Sequence, residues 1–484
     1  MPDTGFDLFA AARQEMIDEG FDPDFPPGAD QQLAALKARP APAANGDVHD
    51  LRALLWSSID NDSSRDLDQI EVAERVNGGI RVRIAIADVD SDVAIGTPID
   101  QHAATQTTTV YTGIRTFSML PEQLSTDLTS LNEAADRLAM VVDMVVAGDG
   151  SISSTGIYRA LVRNQAQLTY NGVGGWIEGT AGAPPKVGAS ADLAAQLRLQ
   201  DEAAQIFLGE RHRLGALDID RVEAEAVILD GRVQGIDTRR KNRATELIEN
   251  FMIAANSVME RTLLKAGAPS IRRVVRTPER WPRIVELAAR CGETLPKEAD
   301  SGALNTFLQK RKAVDQAHYA DLSLAVIKLM GPGEYVFARA GDANLGHFAL
   351  AAHDYTHSTA PNRRFADMVT QRLIKSVLAK QPSPYSDGQL DSIARTCTLR
   401  EDAARKVERV MNKRIAAVAL EHRIGETFAA VVTGVTPKGV FVRVLGPPVE
   451  GLLIRGQQGV DVGDRLTVKL VSTDPRRGYI DFAA

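Results

Sequence analysis

The chain has 484 residues, 44% hydrophobic and 25% charged, with a net charge of −7, the composition of an ordinary globular protein of two or three domains. Its two cysteines, Cys291 and Cys397, lie outside any CxxC or Cys/His spacing, which excludes a disulfide framework and a cysteine-based zinc site and fits a reducing cytoplasm. No apolar run is long enough to span a bilayer, and Met1-Pro2-Asp3-Thr4-Gly5 lacks the basic start of a signal peptide, so a soluble cytoplasmic protein without a membrane partner is expected.

Residues 1–50 carry ten acidic against three basic residues and account for the whole net charge. Phe6, Phe9, Ala10, Met16 and Ile17 recur at helical spacing and predict a helix over 6–20, with a second over 29–38 beyond the breaker Asp22-Pro23-Asp24-Phe25-Pro26-Pro27-Gly28. The Ala/Pro-rich stretch 39–46 reads as a linker, so residues 1–46 form an acidic helical module.

A stretch without helical periodicity follows, Ser58-Ile59-Asp60-Asn61-Asp62-Ser63-Ser64-Arg65-Asp66-Leu67-Asp68-Gln69, placed as a loop after a short strand. Oxygen-only clusters suit hard divalent cations, and Mg²⁺ is normally held by one or two carboxylates plus waters and substrate phosphate oxygens. An exposed polar turn is the other reading, and spacing by itself leaves both open. A calcium loop of the EF-hand kind lacks its Gly and terminal Glu here.

Residues 80–89 alternate and then turn apolar, as a strand entering a core does; 140–146 and 152–162 predict further strands of an antiparallel sheet joined by a turn at 147–150. Helices are predicted over 190–213, 244–264, 304–311, 366–379 and 391–422, giving an α+β body over 47–422. From Tyr355 to Arg414 twelve basic residues stand against six acidic ones, a distribution suited to a polyanion, although most of them individually read as solvated helix faces. Arg363 and Arg364 follow Pro361 at the expected start of a helix, where they can grip a phosphoryl group or pair with Asp367. His347, His353 and His357 are not spaced as helical metal ligands.

The last segment, 423–484, holds five short β-rich runs separated by Gly, Pro and Asp, the pattern of a five-stranded OB-fold barrel, with an SH3-like barrel as the other possibility. In it Phe428 and Phe441 are candidates to stack on bases, with Arg443, Arg455 and Lys469 for phosphates; both aromatics also suit a core.

Ser58-Ile59-Asp60, Asp66-Leu67-Asp68, Ile84-Ala85-Ile86-Ala87-Asp88-Val89 and Met119-Leu120-Pro121, then the helix from Ala244 to Asn256, His347-Phe348, and Thr359-Ala360-Pro361-Asn362-Arg363-Arg364 occur in an order that resembles the RNase II family and its RNB domain. The resemblance runs over roughly residues 50–420, and the terminal barrel is similar to the family's S1 domain. It implies a processive 3′→5′ exoribonuclease that hydrolyses single-stranded RNA to nucleoside 5′-monophosphates, with one or two Mg²⁺ ions; a channel contained in one chain permits a monomer. By motif match Asp60, Asp66 and Asp68 take the acidic positions around the metal, and Asp68 and Arg363 are the catalytic pair. Tyr111 resembles the aromatic that stacks near the 3′ end, Arg364 joins the RNA contacts, and Glu408 resembles an acidic residue touching the terminal ribose, whose 2′-OH would select RNA.

Two departures stand out. Gln69 occupies the place of a further Asp, so a catalytically weakened RNA-binding protein is the alternative expectation, and Gln106 stands where the family has Arg. The family also commonly carries two cold-shock barrels ahead of the catalytic domain. Here only the helical segment precedes it, and the S1-like barrel is expected to bear more of the RNA binding.

Overall fold

The computed structural model describes residues 6–220, 222–229, 232–316, 319–342 and 345–484. Its centre is a seven-stranded sheet in the order Val48–Asp50, Ile152–Arg163, Asp136–Val146, Gly79–Ala87, Gln69–Val76, Ser57–Asp60, Ala166–Thr169. The four central pairings are antiparallel, three of them long, whereas both edge pairs, Val48–Asp50 with Ile152–Arg163 and Ser57–Asp60 with Ala166–Thr169, are parallel. The antiparallel pairing expected among residues 80–89, 140–146 and 152–162 is present, and the parallel edge pairs lie outside that expectation, because strand direction is set by the connections and leaves no trace in residue alternation.

Helices Ala191–Arg213 and Arg243–Lys265 cover one face of this sheet. The second begins in a capping box in which the Asn242 side chain accepts from the Thr245 backbone and the Thr245 hydroxyl accepts from the Asn242 backbone. Leu247, Phe251, Ala255 and Met259 then bury along a single stripe, so the helix is fixed in rotation against the sheet.

The helices Leu8–Asp18 and Ala29–Lys37 appear where periodicity places them, and both are packed onto the body. Leu33 and Leu36 enter the main core, while Leu8, Ala12 and Met16 join a second core with Val407, Met411 and Ile415 of the long helix Asp387–Leu420. Glu15 pairs with Arg414 at 3.1 Å and Glu19 with Lys406, so the acidic segment lies on a basic face of that helix.

The C-terminal strands Thr427–Thr436, Gly439–Val444, Glu450–Arg455, Arg465–Asp474 and Tyr479–Ala483 close into a barrel in the order first, second, third, fifth, fourth, which is the OB arrangement. The hairpin Val222–Leu229 with Arg232–Arg240 is absent from the sequence expectations, although alternation ahead of Asp230-Gly231 was its signal. Among the described residues no helix is long and apolar enough to cross a membrane.

Candidate active site

The carboxylate stretch leaves the strand Ser57–Asp60, runs irregularly to Asp68 and re-enters the sheet at Gln69, so the acidic residues collect at the strand ends. Asp60, Asp66 and Asp68 line a cavity of about 950 Å³ together with Arg363, Tyr111, Tyr170 and the face Thr245, Ile248, Glu249, Met252 of the central helix. Two segments distant in sequence bring Tyr111 and Arg363 there. Thr109 N donates to the Arg363 carbonyl at 2.9 Å and Phe365 N to the Thr107 carbonyl at 2.8 Å. Thr107 closes its helix with φ at 59°, a left-handed turn that a β-branched residue adopts only under strain and that aims the next residues at the site.

Asp60 Oδ1 accepts from Asn61 N and from Ser64 Oγ, both at 2.7 Å, which fixes the carboxylate at the loop entrance. Asp66 Oδ2 accepts from the Tyr111 hydroxyl at 3.3 Å. Asp68 is 2% exposed; its Oδ1 accepts from Asn362 N at 3.0 Å and its Oδ2 lies 3.6 Å from Arg363 Nε. Burial pushes the Asp68 carboxyl up to about 7, with Arg363 opposing the shift and Asp66 adding to it. Burial also raises Asp66, and Asp60 adds to that rise.

Neighbouring carboxylates held above their ordinary range form a site that a cation relieves. The donor set of Asp60, Asp66 and Asp68 therefore fits a hard divalent ion such as Mg²⁺. Among the described residues no three His, Cys, Asp or Glu side chains converge closely enough to cage a metal by themselves, so water and phosphate oxygens would complete the coordination. Asp62 turns away and accepts from Asn171 Nδ2 at 2.8 Å.

The raised Asp68 carboxyl has a consequence for stability. In the native cation-free protein it binds a proton more tightly than in the unfolded chain, so its contribution is full below the ordinary Asp range and is lost as pH rises through about 7. Asp68→Asn is accordingly expected to gain in thermal midpoint relative to the wild type between pH 5 and pH 8 in chelator. Parallel melts at several pH values check this.

The other predicted contacts divide. Tyr111 is 42% exposed in the cavity, free to present its ring, and its backbone N donates to Glu408 Oε1 at 3.2 Å. Arg364, expected among the RNA contacts, is instead half-buried and committed to Asp367, with Nε and Nη2 donating to its carboxylate at 2.8 and 2.7 Å. Phe428 is 6% exposed and packs edge-on against Phe482 in the barrel core, so the stacking role expected for it is corrected. Arg443 is tied to Asp321 of the helix Tyr319–Met330, an interdomain ion pair in place of a free phosphate contact. Phe441 alternates with the buried Val440 and Val442 and points outward. Phe441→Ala is expected to weaken RNA binding roughly tenfold in a gel shift with an unchanged thermal midpoint, whereas Phe428→Ala is expected to cost the barrel about 3–5 kcal/mol.

Sequence reasoning missed Tyr170, at the start of the helix Tyr170–Ile177, and Arg239 of the hairpin, whose guanidinium sits 5.9 Å from the Tyr170 ring centroid. The run Ala166-Gln167-Leu168-Thr169 before Tyr170 is a short strand ending in a Thr cap, a legible strand-to-helix signal. Gln106, in the Arg position, is buried and accepts from Asp22 N at 3.3 Å, so it holds the N-terminal segment.

The RNB domain family matches residues 48–380, and the RNase II-type exonuclease C-terminal S1 domain matches 426–484. The chain belongs to the RNB family. Ribonuclease R 1 of Lactococcus lactis is 30% identical over 466 residues, covering 90% of this chain and 56% of the relative. Ribonuclease R of Thermotoga maritima is 30% identical over 498 residues, covering 95% of this chain and 68% of the relative. The chain thus spans little more than half of the Lactococcus protein. Among solved structures, Mycoplasma genitalium RNase R in complex with ribose-methylated single-stranded RNA shares the RNB fold, with a TM-score of 0.87, 23% identity and coverage of 99% of this chain and 78% of that one. Yeast Ssd1, a pseudonuclease, has a TM-score of 0.70, 18% identity and coverage of 92% and 55%.

Proposed function

We propose that this RNB protein is a cation-dependent hydrolytic exoribonuclease that shortens single-stranded RNA processively from its 3′ end and releases nucleoside 5′-monophosphates. The observation that carries this reading is Arg363, with its Nε 3.6 Å from a buried Asp68 carboxylate, on the wall of one cavity shared with Asp60, Asp66 and Tyr111. When bound at the carboxylates, Mg²⁺ supplies Lewis-acid stabilisation and lowers the pKa of water.

This chain's residues supply the rest. Arg363 is 43% exposed at the side chain, so it can donate to a non-bridging phosphate oxygen while held by Asp68. Charge develops on that oxygen as water attacks phosphorus, and a fixed guanidinium there stabilises it. The P–O3′ bond breaks, the 3′-oxygen of the shortened strand takes a proton from solvent, and the released nucleotide keeps its 5′-phosphate. Tyr111 offers a ring to the terminal base, and Glu408, anchored on the Tyr111 backbone, offers a carboxylate to ribose hydroxyls. A cavity contained in one chain supports action as a monomer.

The names of the relatives, Ribonuclease R, agree with this reading. A second reading, an RNA-binding protein with weakened catalysis, is favoured by Gln69 and by the occurrence of this fold in a pseudonuclease. Incubation of the pure chain with Mg²⁺ and 5′-labelled single-stranded RNA or DNA separates them. Stepwise shortening of RNA with monophosphate release is expected; intact RNA held tightly in a gel shift would establish the second reading, and DNA shortened at an equal rate would remove the ribose contacts.

A further inference from the structure

Directly inward of Gln69, on the same face of the strand Gln69–Val76, stands Glu71. It is 0% exposed, and neither of its carboxylate oxygens has a hydrogen-bond partner. On one side Glu71 pairs with the apolar Ile84 of the next strand, while on the other its polar neighbours are equally unpaired. Ser57, its cross-strand partner, has a buried hydroxyl without a partner, and Gln200, whose Nε2 donates to the Glu71 carbonyl at 3.3 Å, has an unpartnered buried Oε1. Asp60 and Tyr170, which line the cavity, both lie within the electrostatic reach of Glu71.

An ionised carboxylate without a partner in a protein interior is costly, and unsatisfied polar atoms gathered from three elements mark a place where an ion or ordered water belongs. The neutral Gln69 lies at the mouth of this group, at the one position where the acidic cluster lacks a charge. We propose that Glu71 supplies the negative charge for a divalent cation held at Asp60 and Gln69, compensating from one step deeper in the sheet for the neutral side chain at position 69. Glu71 is in these terms a positioning residue for the cation, which Ser57 and Gln200 assist with oxygen atoms. The inference rests on the cation-dependent reading above.

Mn²⁺ binding to the cation-stripped full chain, followed by the paramagnetic resonance of free Mn²⁺, tests it without reference to activity. Glu71→Gln is expected to weaken binding by about tenfold or more. Glu71→Leu, which fills the same buried space with an apolar side chain, is expected to do the same and serves if the first variant fails to fold. Gln69→Asp is expected to recover more affinity in either Glu71 variant than it adds to the wild type, since the two positions share one ion. Wild-type affinity in the Glu71 variants, with a raised thermal midpoint, would overturn the proposal and leave Glu71 a protonated core residue. A wild-type chain that binds no Mn²⁺ would overturn the cation-dependent reading as well, so the two failures are distinguishable.

Discussion

Asp68→Asn is expected to lower the rate of RNA shortening by about a thousandfold while single-stranded RNA is still bound. One fixed charge in a desolvated site is worth about that much to a phosphoryl transition state. Asn keeps the acceptor oxygen that Asn362 N uses at 3.0 Å, so the loop geometry survives. It removes the charge that faces Arg363 and the ligand through which Mg²⁺ would be held. Single-turnover assays with 5′-labelled RNA, together with a gel shift, separate the outcomes: loss of rate with retained binding supports the assignment, and an undiminished rate would exclude Asp68 from the chemistry.

The second large effect is structural. Asp367 is fully buried and receives three bonds: two from Arg364, at 2.8 and 2.7 Å, and one from Ala360 N at 2.8 Å. Asp367→Ala leaves the Arg364 guanidinium buried without its counter-charge, a change expected to cost about 3–5 kcal/mol in urea unfolding. Burial works against the charged Arg364, while Asp367 is the foremost of the groups that hold it protonated. The same bonds shape the loop that presents Asn362 N and Arg363 to Asp68, so the residual folded fraction should also be slower in RNA shortening. Asp367→Asn, which keeps the acceptor for Ala360 N, is expected to fall between the two. An unfolding midpoint in Asp367→Ala equal to that of the wild type would show that the pair breaks even against its own desolvation.

Most of the architecture was legible because it depends on local pattern. The alternation in residues 80–89, the period of Ala244–Leu264 and the five β-rich runs after residue 423 each state an element and its buried face. The barrel was readable as OB-like since short strands between Gly and Pro leave few other closures. The hairpin Val222–Arg240 was passed over although its alternation was visible, and with it Arg239 at the cavity wall.

Site residues were legible in proportion to how much of their role is chemical. Asp60, Asp66, Asp68 and Arg363 were picked out by their match to the RNase II family motifs, since the loop and the Arg pair by themselves leave a polar turn and an ion pair open, and they meet at one cavity. Arg364 and Phe428 carry the same chemistry as a phosphate contact and a stacking ring, yet one faces Asp367 and the other Phe482. Residue type cannot separate these cases; the direction of the side chain does.

By itself, then, the sequence determined the set of elements, the terminal barrel, the acidic loop and the cationic segment after Pro361, all of which follow from residue type, spacing and order. Only the tertiary structure decided that the edge strands are parallel, that Thr107–Tyr111 binds the Arg363 segment, that Arg443 joins the barrel to Asp321, and that Glu71 lies unpaired behind Gln69. The physical reason is common to all four. Each depends on how residues far apart in the chain pack against one another, and on burial and exclusion of water, quantities that exist only once the surrounding elements have packed.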